Sequence, residues 1–427
     1  MNAVISFCTL GCRVNQYEST LLASSLSRQG FNVVPFGQPC DYSVVNTCTV
    51  TGESDRKSRQ MIRRAAKLAQ KGVFVTGCFA EISRKEAEKI DGVIAVVGNR
   101  NKSHLENVII ATVSGFQEEH IGNDVDFEPC GGKLTVPERV RTFIKIEDGC
   151  ESRCAYCIIP KARGPIRSKA PELIIEEAKA LSIAGSPEII LTGIEISAYG
   201  KDFDSDYDLS MLISDISAIP TIKRIGLGSL DPTLMTDKFL SRISNVPELI
   251  RHFHISLQSG CSGVLARMRR RYNADQALVF IDRIKKYFPD ANISADIIAG
   301  FPGESEDEFA ETVEFCKKVD FLNLHVFPYS IRKGTEAAEM EGQLPEHIKK
   351  ERVAILEKLH SEKRAALLEK YSMRTEPVMV LFEQKKNGYL IGHSEHYVEL
   401  LVDGPEELVG KICAVQPMAD GTGKLVL

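Results

Sequence analysis

The chain has 427 residues, which is enough for two or three domains with a sizeable core. Its hydrophobic fraction of 43% and charged fraction of 26% are typical of a globular protein, and no apolar stretch is long enough to span a bilayer. The first residues lack the basic start of a signal peptide, so we expect a cytoplasmic protein with no membrane partner. The net charge of only −5 excludes a chain whose charge as a whole drives nucleic-acid binding.

Short apolar runs alternate with amphipathic stretches in the N-terminal part, a pattern typical of an open, doubly wound parallel sheet. The predicted strands are Ala3–Cys8, Phe31–Pro35, Tyr42–Asn46, Val73–Thr76 and Val93–Val97. The predicted helices are Asn15–Gln29, Gly52–Gln70 and Ser83–Lys89. A polar stretch with Gly122, Pro129 and Gly131 follows and predicts a linker.

The alternation of strands and helices resumes at Thr142 and continues through six repeats. The predicted strands are Thr142–Glu147, Glu188–Thr192, Lys223–Gly228, His252–Leu257, Asn292–Ile298 and Phe321–Phe327, with helices such as Pro171–Ala184 and Asp275–Tyr287 between them. A closed α/β barrel needs eight repeats, so we expect a partial barrel that is open on one side.

A long charged helix is predicted over Pro345–Lys370, and the pattern then changes to short strands separated by turns. These strands are Val378–Phe382, Tyr389–His393, Tyr397–Val402, Lys411–Gln416 and Lys424–Leu427. They predict a small five-stranded β-barrel. The expected segments are a sheet domain over 1–113, a linker over 114–139, the partial barrel over 140–372 and the β-barrel over 373–427.

Cys150, Cys154 and Cys157 form a C-x3-C-x2-C run directly after the first predicted barrel strand, where α/β barrels place their chemistry. Twelve cysteines in a cytoplasmic chain favour metal binding or catalysis over disulfides. Three thiolates leave one iron of a 4Fe–4S cluster free, whereas a zinc site needs a fourth ligand, and the adjacent sequence offers no further His or Cys. The run therefore predicts an iron–sulfur cluster rather than zinc.

Cys12, Cys48 and Cys78 are far apart in the sequence, yet each lies just past the carboxyl end of a predicted parallel strand. Those ends line the ligand crevice of doubly wound sheets, so three thiolates can converge there without a local motif. Position alone favours the competing interpretation, that each is a small buried apolar side chain. The remaining cysteines are expected to be structural or incidental: Cys8, Cys40, Cys130, Cys261, Cys316 and Cys413.

The chain resembles the radical S-adenosylmethionine (SAM) enzymes and, within them, the methylthiotransferases, over nearly its whole length. The segment Thr9–Ser19 (TLGCRVNQYES) is similar to the family's N-terminal signature, in the form typical of the branch that acts on N6-threonylcarbamoyladenosine in tRNA. Further matching segments are Val45–Val50 (VNTCTV), Leu191–Gly193 (LTG), Ile255–Gly260 (ISLQSG), Met268–Tyr272 (MRRRY), Asp296–Glu304 (DIIAGFPGE) and Phe327–Ser330 (FPYS). The terminal barrel is similar to the TRAM domain, an RNA-binding module of this family.

The resemblance implies that Cys150, Cys154 and Cys157 hold a 4Fe–4S cluster whose free iron binds SAM. It also implies that Cys12, Cys48 and Cys78 hold a second 4Fe–4S cluster, which carries the sulfur to be donated. The SAM contacts that we expect at barrel strand ends are Gly193, Glu195, Ser229, Gln258 and Asp296. No side chain is expected to act as a general acid or base, because the clusters and SAM carry the chemistry.

The implied reaction converts N6-threonylcarbamoyladenosine at position 37, in the anticodon loop of tRNA, to its 2-methylthio derivative. One SAM methylates the cluster-borne sulfur, and another supplies the radical that activates carbon 2 of the adenine. The alternatives are the same chemistry on isopentenyladenosine tRNA or on a ribosomal protein side chain, and a non-enzymatic RNA-binding iron–sulfur protein. An electron donor such as flavodoxin or ferredoxin is expected, and the sequence does not identify the sulfur donor.

The helix predicted after Cys48 carries seven Lys or Arg and no acid between Arg56 and Lys71. We expect it to contact tRNA phosphates, against the alternative of an ordinary solvated helix face. The residues are Arg56, Lys57, Arg59, Arg63, Arg64 and Lys67. The terminal barrel is acidic instead, so its RNA-binding face is either a local patch near Lys385, Lys386 and His393, or RNA binding depends mainly on the helix.

Overall fold

The computed structural model describes residues 3–116, 131–137 and 139–426. Its strands are β1 (Val4–Thr9), β2 (Asn32–Pro35), β3 (Cys40–Thr47), β4 (Ala69–Gly77), β5 (Val93–Val97), β6 (Arg141–Lys145), β7 (Glu147–Asp148), β8 (Arg167–Ser168), β9 (Glu188–Thr192), β10 (Arg224–Leu227), β11 (His252–Gln258), β12 (Asn292–Ala299), β13 (Phe321–Pro328), β14 (Val378–Lys386), β15 (Tyr389–Ser394), β16 (Glu399–Asp403), β17 (Ile412–Pro417) and β18 (Thr422–Leu425). Most of the predicted linker, with Cys130, lies outside the described residues.

Thirteen α-helices lie in the described part of the chain. They are α1 (Arg13–Arg28), α2 (Gly52–Leu68), α3 (Cys78–Ile82), α4 (Arg84–Glu88), α5 (Leu105–Val113), α6 (Ile159–Arg163), α7 (Pro171–Ile183), α8 (Leu209–Ser217), α9 (Asp237–Ile243), α10 (Ser262–Arg267), α11 (Ala274–Tyr287), α12 (Glu306–Lys318) and α13 (Glu346–Ser372). None of the described helices is both long and apolar enough to cross a membrane.

The chain forms two compact units that do not follow the chain order. Unit 1 consists of Met1–Leu134, Lys145–Ala170 and Ser330–Ala338. Unit 2 consists of Thr135–Ile144, Pro171–Tyr329 and Glu339–Leu427. The division into four consecutive segments stays a prediction.

Unit 1 is built on a parallel sheet with the strand order β2-β1-β3-β4-β5. One core cluster joins its strands to Ile62 of α2 and Phe79 of α3, and another joins them to Leu26 of α1 and Ile109 of α5. Helices therefore bury apolar side chains against the strands in both core clusters. The predicted doubly wound sheet is confirmed. Helix α2 ends at Leu68 rather than at the predicted Gln70, because Ala69 already pairs with Cys40 of β3.

The six predicted barrel strands are present in two three-stranded sheets, with the orders β6-β9-β10 and β11-β12-β13. Parallel bridges between Ile225 and Leu249 and between Leu230 and Ile255 connect the two sheets. The strands β6 and β13 are the two ends of this series, as the predicted partial barrel requires. The first predicted strand, Thr142–Glu147, is interrupted after Lys145, because Glu147 pairs antiparallel with Ser168 in the separate β7–β8 ladder.

The terminal strands close into a barrel with the order β14-β15-β16-β18-β17, which confirms the predicted five-stranded barrel. Its core contains Val380, Phe382, Leu390 and Val402. Asn387 and Gly388 form the turn that joins β14 to β15, and both have positive φ angles, of 51° and 88°, as a two-residue hairpin turn requires.

Tyr397 attaches the terminal barrel to the barrel strands inside unit 2. Its ring is stacked between His252 of β11, at 4.2 Å between ring centroids, and His393 of β15, at 4.7 Å. The Arg141 guanidinium lies 4.9 Å from the same ring centroid. His393 also binds the Glu383 carboxylate at 2.5 Å. The His393 side chain is therefore engaged by Tyr397 and Glu383. The expected RNA-binding patch then consists of Lys385 and Lys386 without His393.

We predict that Gly77→Ala destabilises the protein more than the matched change Gly37→Ala. Both glycines have positive φ angles, of 95° and 103°, so either alanine costs about 2 kcal/mol of backbone strain. A Cβ at Gly77 would also lie 2.4 Å from the Thr47 carbonyl oxygen, whereas a Cβ at Gly37 meets nothing within 4 Å. The overlap should cost about 2 kcal/mol more. Urea unfolding followed by circular dichroism measures the difference, and equal losses would contradict the packing described for Gly77.

Candidate metal centre and cofactor site

Cys12, Cys48 and Cys78 follow β1, β3 and β4, three adjacent strands of the parallel sheet in unit 1. Thr9 pairs with Asn46, and Thr47 pairs with Gly77, so the three strands end at one edge. A Cβ placed on Gly11 would lie 2.9 Å from the Cys48 sulfur, which shows that the backbone before Cys12 packs against Cys48. The register therefore brings these distant cysteines to the same edge, as predicted.

The electrostatic surroundings of the three thiols agree with this proximity. Burial raises the pKa of Cys48, and the nearby Cys78 thiol contributes to the same rise. Although the Cys12 residue is exposed, desolvation raises the pKa of its thiol, Arg163 lowers it, and Cys78 raises it again. Cys78 thus acts on the pKa of both other thiols.

Cys150, Cys154 and Cys157 lie in the loop between β7 and α6 and are all half-buried. The Cys150 amide donates to the Gly164 carbonyl oxygen at 3.0 Å, and the Cys157 amide donates to the Cys154 carbonyl oxygen at 3.1 Å. Gly149 has a φ angle of 90°, and a Cβ there would lie 1.8 Å from the Pro165 carbonyl oxygen. Only glycine fits directly before Cys150, so the base of the loop is fixed by backbone contacts.

Both sets of cysteines belong to unit 1. Helix α3 begins at Cys78 and contacts α6, which follows Cys157 in the chain. The Asn99 side-chain amide donates to the Cys78 sulfur at 3.4 Å and to the carbonyl oxygen of Ala162, in α6, at 2.8 Å. The helix that follows the C-x3-C-x2-C loop is therefore attached directly to the helix that begins at Cys78.

A buried group of charged residues, which we call the Glu18 network, lies beside the cysteines. Its members are Glu18, Lys102, Lys145, Asp148, Arg163 and Arg167. Burial by itself would raise the pKa of Glu18, but the cations Arg163, Lys102 and Lys145 hold that pKa well below its usual range. Asp148 likewise has a lowered pKa, because Arg163 and Lys145 outweigh its burial. Both acids are therefore ionised in the folded protein at neutral pH.

The sequence patterns did not predict this network. The glutamate and the arginine are 145 positions apart and meet only in the folded unit. The one available signal was that Asp148 and Arg163 flank the C-x3-C-x2-C run on its two sides.

The donor set fits iron–sulfur clusters better than a mononuclear metal. In the described residues, no group of three or more His, Cys, Asp or Glu side chains converges on a single ion position. A cubane cluster takes each thiolate on a different iron, so its ligands need not converge on one point. N–H donors directed at a cysteine sulfur, as at Cys78, are also typical of cluster surroundings.

The five expected SAM contacts all lie in unit 2. Gly193 and Ser229 follow β9 and β10, and Gln258 ends β11 with a φ angle of 73°. Asp296 is not at a strand end, since it is the fifth of the eight residues of β12. It binds the His254 ring at 3.0 Å, a partner that the sequence analysis missed. The two-residue period of strands places His254 on the same face of β11 as Gln258. This period was the signal by which the sequence could have indicated His254.

Glu195 accepts from the Ser197 amide at the start of a short 3-10 turn that follows β9. Burial and then the neighbouring Asp231 carboxylate raise its pKa. Asp231 binds Arg270 at 2.8 Å. Two acids with one cation make this part of unit 2 favourable for a positively charged ligand.

The basic residues expected to contact tRNA lie on α2. Its Ser58, Ile62 and Ala65 are buried, and the basic residues lie on the remaining surface of the helix. Arg59 is the exception, because it is half-buried and lies 3.5 Å from Glu86. The exposed residues are Arg56, Lys57, Arg63, Arg64 and Lys67.

Comparison with known proteins gives two family models and many relatives. Residues 144–316 match the Radical SAM superfamily, and residues 4–98 match an uncharacterized protein family, UPF0004. The threonylcarbamoyladenosine tRNA methylthiotransferase MtaB of Bacillus subtilis is 37% identical over 98% of this chain and 94% of its own length. MtaB of Aquifex aeolicus is 36% identical over 96% of this chain and 99% of its own length.

Two more distant matches are a relative that acts on another tRNA nucleoside and a solved structure that shares only the fold. A tRNA-2-methylthio-N(6)-dimethylallyladenosine synthase of Aquifex aeolicus is 30% identical over 96% of this chain and 94% of its own length. The radical SAM methyltransferase TsrM of Kitasatospora setae superposes with a TM-score of 0.58 at 14% identity, covering 79% of this chain and 77% of its own. That similarity shows the fold alone.

Radical SAM enzymes use SAM and a 4Fe–4S cluster, and methylthiotransferases of the MtaB type carry a second cluster. The two cysteine sets are the candidate ligands of these two clusters. On the identity over nearly the full length of both chains, this chain belongs to the tRNA methylthiotransferases of the radical SAM superfamily.

Proposed function

We propose that the protein converts N6-threonylcarbamoyladenosine at position 37 of tRNA into its 2-methylthio derivative. The observation that carries the choice of substrate is the identity of 32–37% to five threonylcarbamoyladenosine enzymes, against 29–30% to three dimethylallyladenosine enzymes. The form of the Thr9–Ser19 segment supports the same branch.

The six cysteines hold the two clusters in this proposal. Cys150, Cys154 and Cys157 leave one iron for SAM, and Cys12, Cys48 and Cys78 leave one iron for the sulfur to be transferred. When bound, these groups supply the radical that activates carbon 2 of the adenine and the methylthio group that joins it. The protein holds the cysteines in place through the strand register and the Gly149 turn, and no side chain acts as an acid or base.

SAM is bound by residues of unit 2: Gly193, Glu195, Ser229, Gln258 and Asp296. SAM carries a sulfonium and an ammonium group, so a site with more acids than bases suits it. Glu195 and Asp231 provide that excess, because Arg270 compensates only one of them. A cation next to Glu195 would also offset the cost of its burial.

The tRNA phosphates are held mainly by α2, whose exposed basic residues follow directly after Cys48 in the chain. The terminal barrel contributes at most Lys385 and Lys386, because it has four lysines against eight acids and His393 is engaged by Glu383. The target base must leave its stack to react, which is easier in a loop than in a duplex. With tRNA as its substrate, the enzyme works in the cytoplasm. Its electron donor is a flavodoxin or a ferredoxin.

Deletion of the gene should remove the 2-methylthio form of N6-threonylcarbamoyladenosine from cellular tRNA and leave the unmethylthiolated nucleoside in its place. Mass spectrometry of digested tRNA measures both. A plasmid copy should restore the product, and a copy with Cys12, Cys48 and Cys78 changed to alanine should not. If the methylthiolated isopentenyladenosine disappeared instead, the proposed substrate would be wrong.

The two cysteine sets should be separable by iron and product measurements. Replacing Cys150, Cys154 and Cys157 by alanine should abolish 5′-deoxyadenosine formation and remove about half of the iron, because one of two clusters is lost. Replacing Cys12, Cys48 and Cys78 should remove a similar share of the iron but spare deoxyadenosine formation. Anaerobic iron and sulfide counting with product analysis gives both values, and full iron content in the second variant would disprove the assignment.

Removal of three exposed cations from α2 should weaken tRNA binding in a salt-dependent way. Each phosphate contact on a single strand contributes about 0.7 to the slope of log affinity against log salt, so Lys57→Ala, Arg63→Ala and Lys67→Ala together should reduce that slope by about 2. Filter binding at several salt concentrations measures it.

The matched control removes three exposed lysines of unit 2, Lys318, Lys350 and Lys358, and should leave the slope unchanged. Equal slopes for the two triple variants would show that α2 presents an ordinary solvated face.

A further inference from the structure

Arg163 is fully buried and lies at the point where the two cysteine sets approach each other through α6. Its Nε atom donates to the Cys78 sulfur at 3.4 Å. Asn99 donates to the same sulfur through its side-chain amide, also at 3.4 Å. Two N–H donors from different parts of unit 1 are therefore directed at one cysteine.

The other end of the Arg163 guanidinium binds two carboxylates. Its Nη1 atom donates to Glu18 Oε1 at 2.7 Å and to Asp148 Oδ2 at 3.0 Å, and Lys145 binds the same two oxygens at 2.9 Å each. Asp148 Oδ1 accepts from the amide of Gly149, the residue before Cys150, at 2.9 Å. A continuous chain of hydrogen bonds thus connects Cys78 to the start of the C-x3-C-x2-C loop.

The Glu18 network is rich in buried cations. Lys102, Lys145, Arg163 and Arg167 are its cations, and Glu18 and Asp148 are its anions. All six side chains are at most 17% exposed. A buried cation is stabilised by an anion that lies next to it. Cluster-bound thiolates are anions, and Cys78 is the cysteine in contact with the network.

We propose that Arg163, with Asn99 as the second donor, is a positioning residue that fixes the Cys78 thiolate and makes the reduction potential of the N-terminal cluster more positive. Hydrogen bonds to ligand sulfurs and nearby positive charge both favour the more negatively charged, reduced state of an iron–sulfur cluster. This inference rests on the proposed role of Cys12, Cys48 and Cys78 as cluster ligands. A purely structural Arg163 would hold α6 in place and leave the potential unchanged.

The test uses the full-length protein with Cys150, Cys154 and Cys157 replaced by alanine, so that only the N-terminal cluster remains. Arg163→Lys and Arg163→Gln are introduced into this background. Lysine keeps the charge but not the fork of N–H donors, and glutamine removes the charge. After anaerobic reconstitution, iron and sulfide are counted and the potential is measured by a redox titration followed by electron paramagnetic resonance.

Both variants should shift the potential to more negative values, with a larger shift for Arg163→Gln. The matched control is Arg352→Gln, because the Arg352 side chain is only 4% exposed and binds Glu304 at 2.7 Å within unit 2. It removes a comparable buried ion pair and should leave the potential unchanged.

The outcomes separate the two levels of the proposal. A background protein without iron would disprove the ligand assignment and with it the proposed function. A background protein that holds a cluster, with the same potential in both Arg163 variants, would disprove only the role of Arg163. If neither variant folds or holds iron, Asn99→Ala decides, because it removes the other donor and leaves the arginine in place: a negative shift supports the proposal, and an unchanged potential overturns it.

Discussion

The parallel register of β1, β3 and β4 is the constraint on which the candidate metal centre depends. Each of these strands ends at the same edge of the sheet, and each is followed within three residues by a cysteine. A shift of one residue in any pairing would exchange the faces of that strand and move its cysteine away from the others. The apolar side chains that fill both faces of the sheet fix the register, so the core of unit 1 determines the geometry of the thiols.

The Glu18 network adds a second constraint in the same unit. Ions in a protein interior lose several kcal/mol of hydration each, which only good pairing offsets. Glu18 meets Lys102, Lys145 and Arg163, and these contacts keep the carboxylate ionised in spite of its burial. The arrangement is therefore stable only as a whole. It connects Asp148 and Arg163, on the two sides of the C-x3-C-x2-C loop, to Cys78, so the same contacts that balance the buried charges also join this loop to a cysteine of the other set.

Unit 2 combines the partial barrel with a terminal barrel that is firmly attached to it. Tyr397 is inserted between His252 and His393, and Arg224 donates to the His393 carbonyl oxygen at 3.1 Å. Such stacking and hydrogen bonding fix the orientation of the terminal barrel on β10 and β11. Together with its acidic composition, this favours a role for the terminal barrel as a supporting element rather than as the main source of phosphate contacts.

The sequence by itself determined the type and order of the elements, the C-x3-C-x2-C loop and the family, because hydrophobic periodicity and local cysteine spacing are recorded in neighbouring residues. It also indicated that Cys12, Cys48 and Cys78 lie at strand ends. Only the tertiary structure decided that Asp296 lies beside His254, that His393 is occupied, and that Arg163 joins Cys78 to Glu18 and Asp148. These contacts join residues up to 145 positions apart, and pairing over such distances depends on packing rather than on any local pattern.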